Sequence, residues 1–228
     1  MQTLAIDIGG SGIKVITLNE LGEATTERDR VETPNPAKPE PMLTQIVSLA
    51  AKQEKFDRVS VGFPGVVMNG IITTAVNLDP DWVGVDLAKE LSESLGKPVR
   101  VANDADIQGL GTIQGKGVEL VLTLGTGFGS ALLVEGQLVP NLEMGHHPFR
   151  KGETYEEQLG RAALDEIGKK KWNERLKKAI ATLRNLFNSD YIYLGGGNTK
   201  KITFDLPQNV KIVPNMNGLL GGIALWRD

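Results

Sequence analysis

The sequence predicts an α/β protein, and three observations carry that reading. An apolar run at the start, residues 4–8, enters a glycine turn, Gly9-Gly10-Ser11-Gly12, and leaves it as a second apolar run, residues 13–18. The same design returns mid-chain, where residues 120–124 enter Gly125-Thr126-Gly127 and residues 130–134 leave it. From residue 42 onward, stretches of helical period alternate with short strand-like runs. The echo of the first turn in the second points to two related halves.

Taken in order, residues 13–18 close a hairpin, and residues 24–31 add a polar, half-exposed third strand to make an antiparallel meander. The proline-rich stretch 33–41 reads as a surface connection. Residues 42–53 carry Leu43, Ile46, Val47, Leu49 and Ala50 at helical spacing. A short buried strand at 59–63 ends at Pro64-Gly65. A helix at 85–95 has Asp86 in its first turn and Gly96 to close it. A strand at 99–102 leads into Asn103-Asp104-Ala105-Asp106, and 107–115 reads as helix. Gly136-Gln137 is a hairpin turn. Residues 155–187 are helical and amphipathic, broken near Gly168. A strand at 191–194 runs into Gly195-Gly196-Gly197, residues 210–213 form a last strand, and 218–226 a last helix.

Composition narrows the class. A chain of 228 residues can bury a core as one large domain or two small ones. Its 40% hydrophobic and 23% charged content is that of an ordinary globular protein. A net charge of −3 points to neither nucleic acid nor an acidic membrane surface as partner. The absence of cysteine excludes disulfides and thiolate metal sites and fits a reducing compartment. No apolar stretch is long enough to span a bilayer, and the start lacks the pattern of a secretory signal, so the expected location is the cytoplasm.

Glycine turns let backbone N–H groups converge on an anion. The first turn is neither a G-x-G-x-x-G fingerprint nor a P-loop, and the run after it reads as strand. Asp7 is costly to place at the end of an apolar strand without a partner. A metal ion bridging it to phosphate oxygens is one such partner; hydrogen bonds from the glycine N–H groups are the alternative. Asn103-Asp104 at a strand end reads either as a helix N-cap or as a carboxylate placed to accept a proton. Glu143-Met144-Gly145-His146-His147 joins an acid to the chain's only two histidines. Without cysteine a structural zinc is disfavoured, and Glu, His and Asn suit sugar hydroxyls. The basic run from Lys169 to Lys178 reads as a solvated helix face or as a landing strip for a long anion, with Trp172 packed inward.

Together these segments resemble the ROK family of sugar kinases (repressor, open reading frame, kinase) and, within it, the polyphosphate-dependent glucokinases. The likeness covers nearly the whole chain. Asp7 to Lys14 resembles the first phosphate motif, Gly62-Phe63-Pro64-Gly65-Val66 the loop beside the sugar, and Asn77-Leu78 with Trp82 the sugar segment. Asn103-Asp104 resembles the catalytic motif, Leu124 to Ala131 the second phosphate motif, Glu143-Met144-Gly145-His146 the family Glu-x-Gly-His, and Leu194-Gly195-Gly196-Gly197 the segment that meets adenosine in ATP-using relatives.

The resemblance implies an actin-like ATPase fold, two ribonuclease-H-like α/β domains around a central cleft. The expected domains are 1–105 and 106–217, with 218–228 returning to the first. It implies that Asp104 is the general base on the sugar 6-hydroxyl and that Asn77, Asn103, Glu143, His146 and Glu156 hold the sugar, with Glu157 as the adjacent alternative to Glu156. Phosphates or nucleotide would meet Asp7, Gly9, Gly10, Ser11, Gly12, Lys14, Gly125, Thr126, Gly127, Gly195, Gly196 and Gly197. Mg²⁺ would be oriented by Asp7 through water. The expected reaction is transfer from polyphosphate, ATP or both to the 6-hydroxyl of glucose. Open alternatives are an ATP-only kinase for mannose, fructose or an amino sugar, and a sugar sensor without turnover. A homodimer is usual in the family. Pro148-Phe149-Arg150-Lys151-Gly152 stands where many ROK proteins carry a cysteine-rich zinc motif, so no zinc site is expected. With Asp7 so near the start, DNA-binding repression is disfavoured.

Overall fold

Leu4, Ala5, Ile6 and Ile8 make β1 (Thr3–Ile8) a strand buried almost throughout, and it forms the centre of the first of two five-stranded sheets. The computed structural model describes residues 1–53, 55–75, 78–213 and 217–227, with residues 217–220 by backbone alone. The chain divides into two compact units, Met1–Gly111 with Met216–Asp228, and Thr112–Asn215.

In the first unit β1 turns through Gly9–Gly12 into β2 (Ile13–Leu18), which pairs antiparallel with β3 (Asp29–Val31). The third strand is shorter than its sequence suggests. Thr26 Oγ1 takes the N–H of Thr17 (3.0 Å), and Thr25 Oγ1 donates to the Thr17 carbonyl (3.2 Å). The Thr25 N–H also donates to the Thr17 carbonyl (2.9 Å), and an isolated bridge joins Ala24 to Leu18, so the segment follows β2 by mixed side-chain and backbone bonds rather than as a regular strand. Helix α1 (Pro39–Ala50) begins inside the proline-rich stretch, because proline in the first turn has no N–H to waste there. Then come β4 (Arg58–Phe63), a small hairpin of β5 (Val67–Met68) and β6 (Ile71–Ile72), α2 (Leu87–Leu95), β7 (Val99–Asn103) and α3 (Asp104–Leu110). Asp86 caps α2 through the N–H of Lys89, and Gly96 ends it in the left-handed region.

The described strands run β3-β2-β1-β4-β7, with β1, β4 and β7 parallel. Met42, Ile46 and Leu49 of α1 and Leu87 and Leu91 of α2 pack on this sheet together with Trp82. The C-terminal helix, Asn217–Ala224, belongs to the same unit. Ser60 Oγ donates to the Gly222 carbonyl (2.5 Å), Trp226 Nε1 donates to Ser60 Oγ (2.8 Å), and Ile223 packs with Ala5 and Leu18. Arg58 and Arg100 lie over the Trp226 ring, 5.1 and 4.5 Å from its centroid. The helix contacts α3, so the first unit extends to Gly111, beyond the boundary at residue 105 expected from sequence.

Helix α3 starts and stops earlier than 107–115. Asn103 caps it, and the N–H groups of Gln114, Gly115 and Lys116 turn to the Glu119 carboxylate at 2.8, 2.8 and 3.2 Å.

The second unit repeats the topology. Strands β8 (Val118–Leu124), β9 (Phe128–Val134) and β10 (Gln137–Val139) form a meander around the second glycine turn. A hairpin of β11 (Pro148–Arg150) and β12 (Glu153–Thr154) is next, then α4 (Tyr155–Leu159) and α5 (Arg161–Phe187), kinked at Gly168. Strands β13 (Tyr191–Gly195) and β14 (Val210–Ile212) complete the order β10-β9-β8-β13-β14, the counterpart of the first sheet. Trp172 is fully buried on α5, its Nε1 donating to the Leu159 carbonyl (2.9 Å). No helix among the described residues is long and apolar enough to cross a membrane.

Candidate active site

In the first unit the candidate residues gather where the parallel strands end. Asp7 on β1 lies beside Gly62 on β4, and Gly62 beside Ala102 on β7, so Asp7 and the Asn103-Asp104 pair face the same edge, two strand spacings or roughly 10 Å apart. The carboxyl ends of parallel strands are where open α/β sheets bind ligands.

The first glycine turn is closed by the Gly9 N–H on the Gly12 carbonyl (3.0 Å). Thr33 Oγ1 donates to the Gly9 carbonyl (2.5 Å) and Arg30 Nη2 to the Ser11 carbonyl (3.1 Å). With those carbonyls engaged, Gly10 and Ser11 stand exposed at the tip. Across the hairpin, Lys14 Nζ donates to Asp7 Oδ2 at 2.7 Å, each side chain about one-third exposed. The partner Asp7 needs is thus present on its own hairpin. The remaining carboxylate oxygen is a hard donor of the kind Mg²⁺ takes singly, with phosphate oxygens and water filling the other positions. Among the described residues no group of three or more His, Asp or Glu could hold a metal by itself.

Asn103 serves structure first. Its Oδ1 accepts the N–H groups of Ala105 (2.8 Å) and Asp106 (3.4 Å), and its Nδ2 donates to the Gly65 carbonyl (3.1 Å). One amide N–H is left for a ligand. Asp104, the first residue of α3, accepts the Ala105 N–H through Oδ1 at 2.7 Å, which fixes its carboxylate at the helix N-terminus. Asn77 lies outside the described residues. Trp82, from the same sugar-like segment, is core: it is fully buried, donates to the Ala37 carbonyl (2.9 Å) and packs on Phe63 at 5.1 Å between centroids.

The second unit assembles a tighter cluster. Glu156 Oε2 accepts the Phe128 N–H at 3.0 Å and lies so close to Gly127 that a Cβ there would collide with it. The 3₁₀ turn Met144–His146 approaches the same strand. A Cβ on Gly145 would strike the Phe128 carbonyl, and Met144 N–H reaches Ser130 Oγ (3.2 Å). Glycine at 127 and 145 therefore brings Glu156, Glu143 and His146 together. His146 Nδ1 lies 3.7 Å from Glu143 Oε2. Burial pushes the Glu143 carboxyl above the usual range; His146 pulls it down, and Glu156 pushes it up further. The neighbouring glutamates are engaged differently: Glu157 Oε2 accepts the backbone and hydroxyl of Thr154 (2.8 and 2.9 Å) in a capping box, whereas Glu156 faces the turn.

Gly195 pairs with Thr123 in register, so the third glycine segment ends at the same sheet edge as Gly125–Gly127. Asn198 Nδ2 ties it to the Gly125 carbonyl at 2.8 Å. In the stretch that replaces the zinc motif, Lys151 and Gly152 form the positive-φ turn of the β11–β12 hairpin, and Phe149 stacks on Tyr155 at 4.5 Å. Sequence reasoning missed the Thr33 and Arg30 bonds that shape the first turn; polar side chains some twenty residues away carry no local signal.

The family model described as "ROK family" matches residues 3–161. The chain belongs to the ROK family. The polyphosphate glucokinase of Mycobacterium tuberculosis (strain CDC 1551 / Oshkosh) is 31% identical over 95% of this chain and 88% of its own. Among solved structures, the inorganic polyphosphate/ATP-glucomannokinase of Arthrobacter sp. strain KM is 33% identical, covers 99% of both chains and superposes with a TM-score of 0.88. A ROK family glucokinase from Streptomyces griseus, in complex with glucose and AMPPNP, shares the fold at 19% identity, with a TM-score of 0.78 and 99% of both chains covered. This ROK protein has the actin-like ATPase fold, and its two sheets of matching order are the paired ribonuclease-H-like units of that fold.

Proposed function

We propose that this ROK protein is a glucokinase, transferring a phosphoryl group from polyphosphate, ATP or both to the 6-hydroxyl of glucose. The observation that carries the reading is the Glu156 carboxylate, bonded to the Phe128 N–H at the foot of one glycine turn and grouped with Glu143 and His146. A phosphate-type turn and a set of groups suited to vicinal hydroxyls are thereby built as one piece. The 31% and 33% identities to a polyphosphate glucokinase and a polyphosphate/ATP-glucomannokinase support the same donor and sugar.

Phosphoryl transfer asks the protein mainly for positioning and charge stabilisation. Asp104 takes the proton of the 6-hydroxyl as that oxygen attacks. The hydrogen bond from the Ala105 N–H orients its carboxylate. Glu143, His146 and Glu156 hold sugar hydroxyls, and Asn103 adds one N–H. The exposed N–H groups of the glycine turns receive donor phosphates, and Lys14 places a cation at the first of them. Asp7 would orient Mg²⁺ through water; the ion supplies charge neutralisation at the transferring phosphate.

The second sugar supported by a specific observation is mannose, since the 33% identical structure is a glucomannokinase. The test is a matrix of glucose, mannose, fructose and amino sugars against ATP and polyphosphate with Mg²⁺, following each sugar phosphate. Glucose 6-phosphate from either donor is expected. Its absence with both overturns the reading, and product from ATP alone removes polyphosphate.

A further inference from the structure

Helix α5 presents a basic face that the sugar site does not use. Lys169, Lys170, Asn173 and Lys177 fall within about two turns of one another, and with Thr203 and Phe204 they line an open pocket of about 430 Å³. The pocket is built on a fixed wall. Asn173 Nδ2 donates to the carbonyls of Lys169 (2.8 Å) and Lys201 (2.9 Å), and its Oδ1 accepts the Thr203 N–H (2.8 Å). All three pocket lysines are exposed, and among the described residues none is held in an ion pair. Glu174 is the one acid in the lining, so the pocket is cationic in a chain whose net charge is −3.

The pocket is also connected to the phosphate turns of its own unit. The 3₁₀ turn Gly197–Lys201 leaves the third glycine segment, is tied to Gly125 by Asn198, and carries exposed Lys200 and Lys201 toward the Asn173 wall. Cations thus succeed one another from the glycine turns to the pocket. We propose that this tract docks the distal part of a linear inorganic polyphosphate chain while its terminal phosphate reacts. The proposal rests on the polyphosphate reading of the donor and adds where the rest of the polymer lies. Lysine is a point charge that suits a string of phosphates. A single-stranded nucleic acid would want aromatic platforms for its bases. Here Trp172 is fully buried, and Phe204 is partly covered.

The test compares the wild type with Lys169→Gln/Lys170→Gln/Lys177→Gln and with a charge-matched control on the first unit, Lys52→Gln/Lys55→Gln/Lys89→Gln. With long-chain polyphosphate the pocket variant is expected to show a KM raised about tenfold, with a flatter salt dependence. With tripolyphosphate, which lacks the long distal chain the tract is proposed to hold, its KM should stay within about twofold. Anisotropy of labelled long-chain polyphosphate, without glucose, reads binding apart from turnover and should weaken in parallel. An unchanged affinity in the pocket variant, or an equal loss in the control, overturns the proposal. So does displacement of polyphosphate by a single-stranded oligonucleotide at equal concentration of phosphate. A wild type that binds polyphosphate at the pocket but makes no sugar phosphate from it overturns the donor reading and leaves the docking site standing.

Discussion

Glu156 Oε2 sits 3.0 Å from the backbone nitrogen of Phe128, so a carboxylate from one helix completes the hydrogen bonding of a glycine turn on the neighbouring hairpin. Glu156→Gln keeps an acceptor for that N–H but loses the charge; Glu156→Ala loses both. The alanine variant is expected to lower kcat/KM for glucose by about 10²-fold and the glutamine variant by about tenfold. Gly127→Ala, whose Cβ would displace the carboxylate, should behave as Glu156→Ala does. Steady-state kinetics on glucose decide this, and equal activity of all three with wild type removes Glu156 from the site.

Asp104→Asn keeps the shape of the side chain and its acceptor for the Ala105 N–H. It should lower kcat by about 10²–10⁴-fold while glucose affinity, read by calorimetry, changes little. Near-normal turnover would take the proton-accepting role away from Asp104.

The Glu143 carboxyl titrates above its ordinary value of 4.5 because it is half-buried and near Glu156, with His146 opposing. As pH falls, it is therefore protonated before an ordinary glutamate, and a carboxylate proposed to hold sugar hydroxyls becomes a poorer acceptor. The glucose KM should rise on the acid side, beginning above pH 4.5, and Glu143→Gln should flatten that limb. The stability sign is the reverse: the folded state holds this proton more tightly, so the group costs stability as pH rises through the same window. A variant whose KM keeps the wild-type pH profile would assign the acid limb elsewhere.

Asp7→Asn should raise the Mg²⁺ concentration needed for half-maximal activity, and Lys14→Met should raise the KM of the phosphoryl donor, each by about tenfold. Titrations of Mg²⁺ at fixed donor, and of donor at fixed Mg²⁺, separate the two. Identical effects of both substitutions on both titrations would mean that the pair acts only as a structural clamp.

Glu119 is fully buried and accepts three backbone N–H groups and the Tyr193 hydroxyl (2.8 Å). Burial and this bond push the Tyr193 phenol far up. Glu119→Ala strands those donors at a cost of about 3 kcal/mol, a fall in Tm of roughly 6–12 °C. Tyr193→Phe should cost about 1 kcal/mol. Calorimetric melting measures both.

The strand-turn-strand units were legible in the sequence because β-branched runs and glycine turns are local signals. Ile13–Leu18 appears with the bounds expected, and Asp86 and Gly96 cap α2 as their residue types suggest. What local signals do not carry is a partner distant in sequence. Nothing beside Glu156 announces Phe128, and nothing near Trp82 announces that its indole is spent on Ala37 rather than on a sugar. The two-residue strands Val67–Met68 and Ile71–Ile72 are too short to show a period. Asn103 shows both readings at once: it caps α3 and retains one N–H for a ligand.

The bonds from Ser60 to Gly222 and from Trp226 to Ser60 join the first and last stretches of the chain in one unit, while Thr112–Asn215 is continuous. On the ribosome, this order of synthesis separates the two folding events. The middle segment has every strand of its own sheet in hand once β14 emerges, but the N-terminal sheet must wait, one face bare, until the final helix is released. The interval between those moments is when the nascent protein is most exposed to chaperones and proteases, and a substitution at Trp226 would prolong it without touching the chemistry.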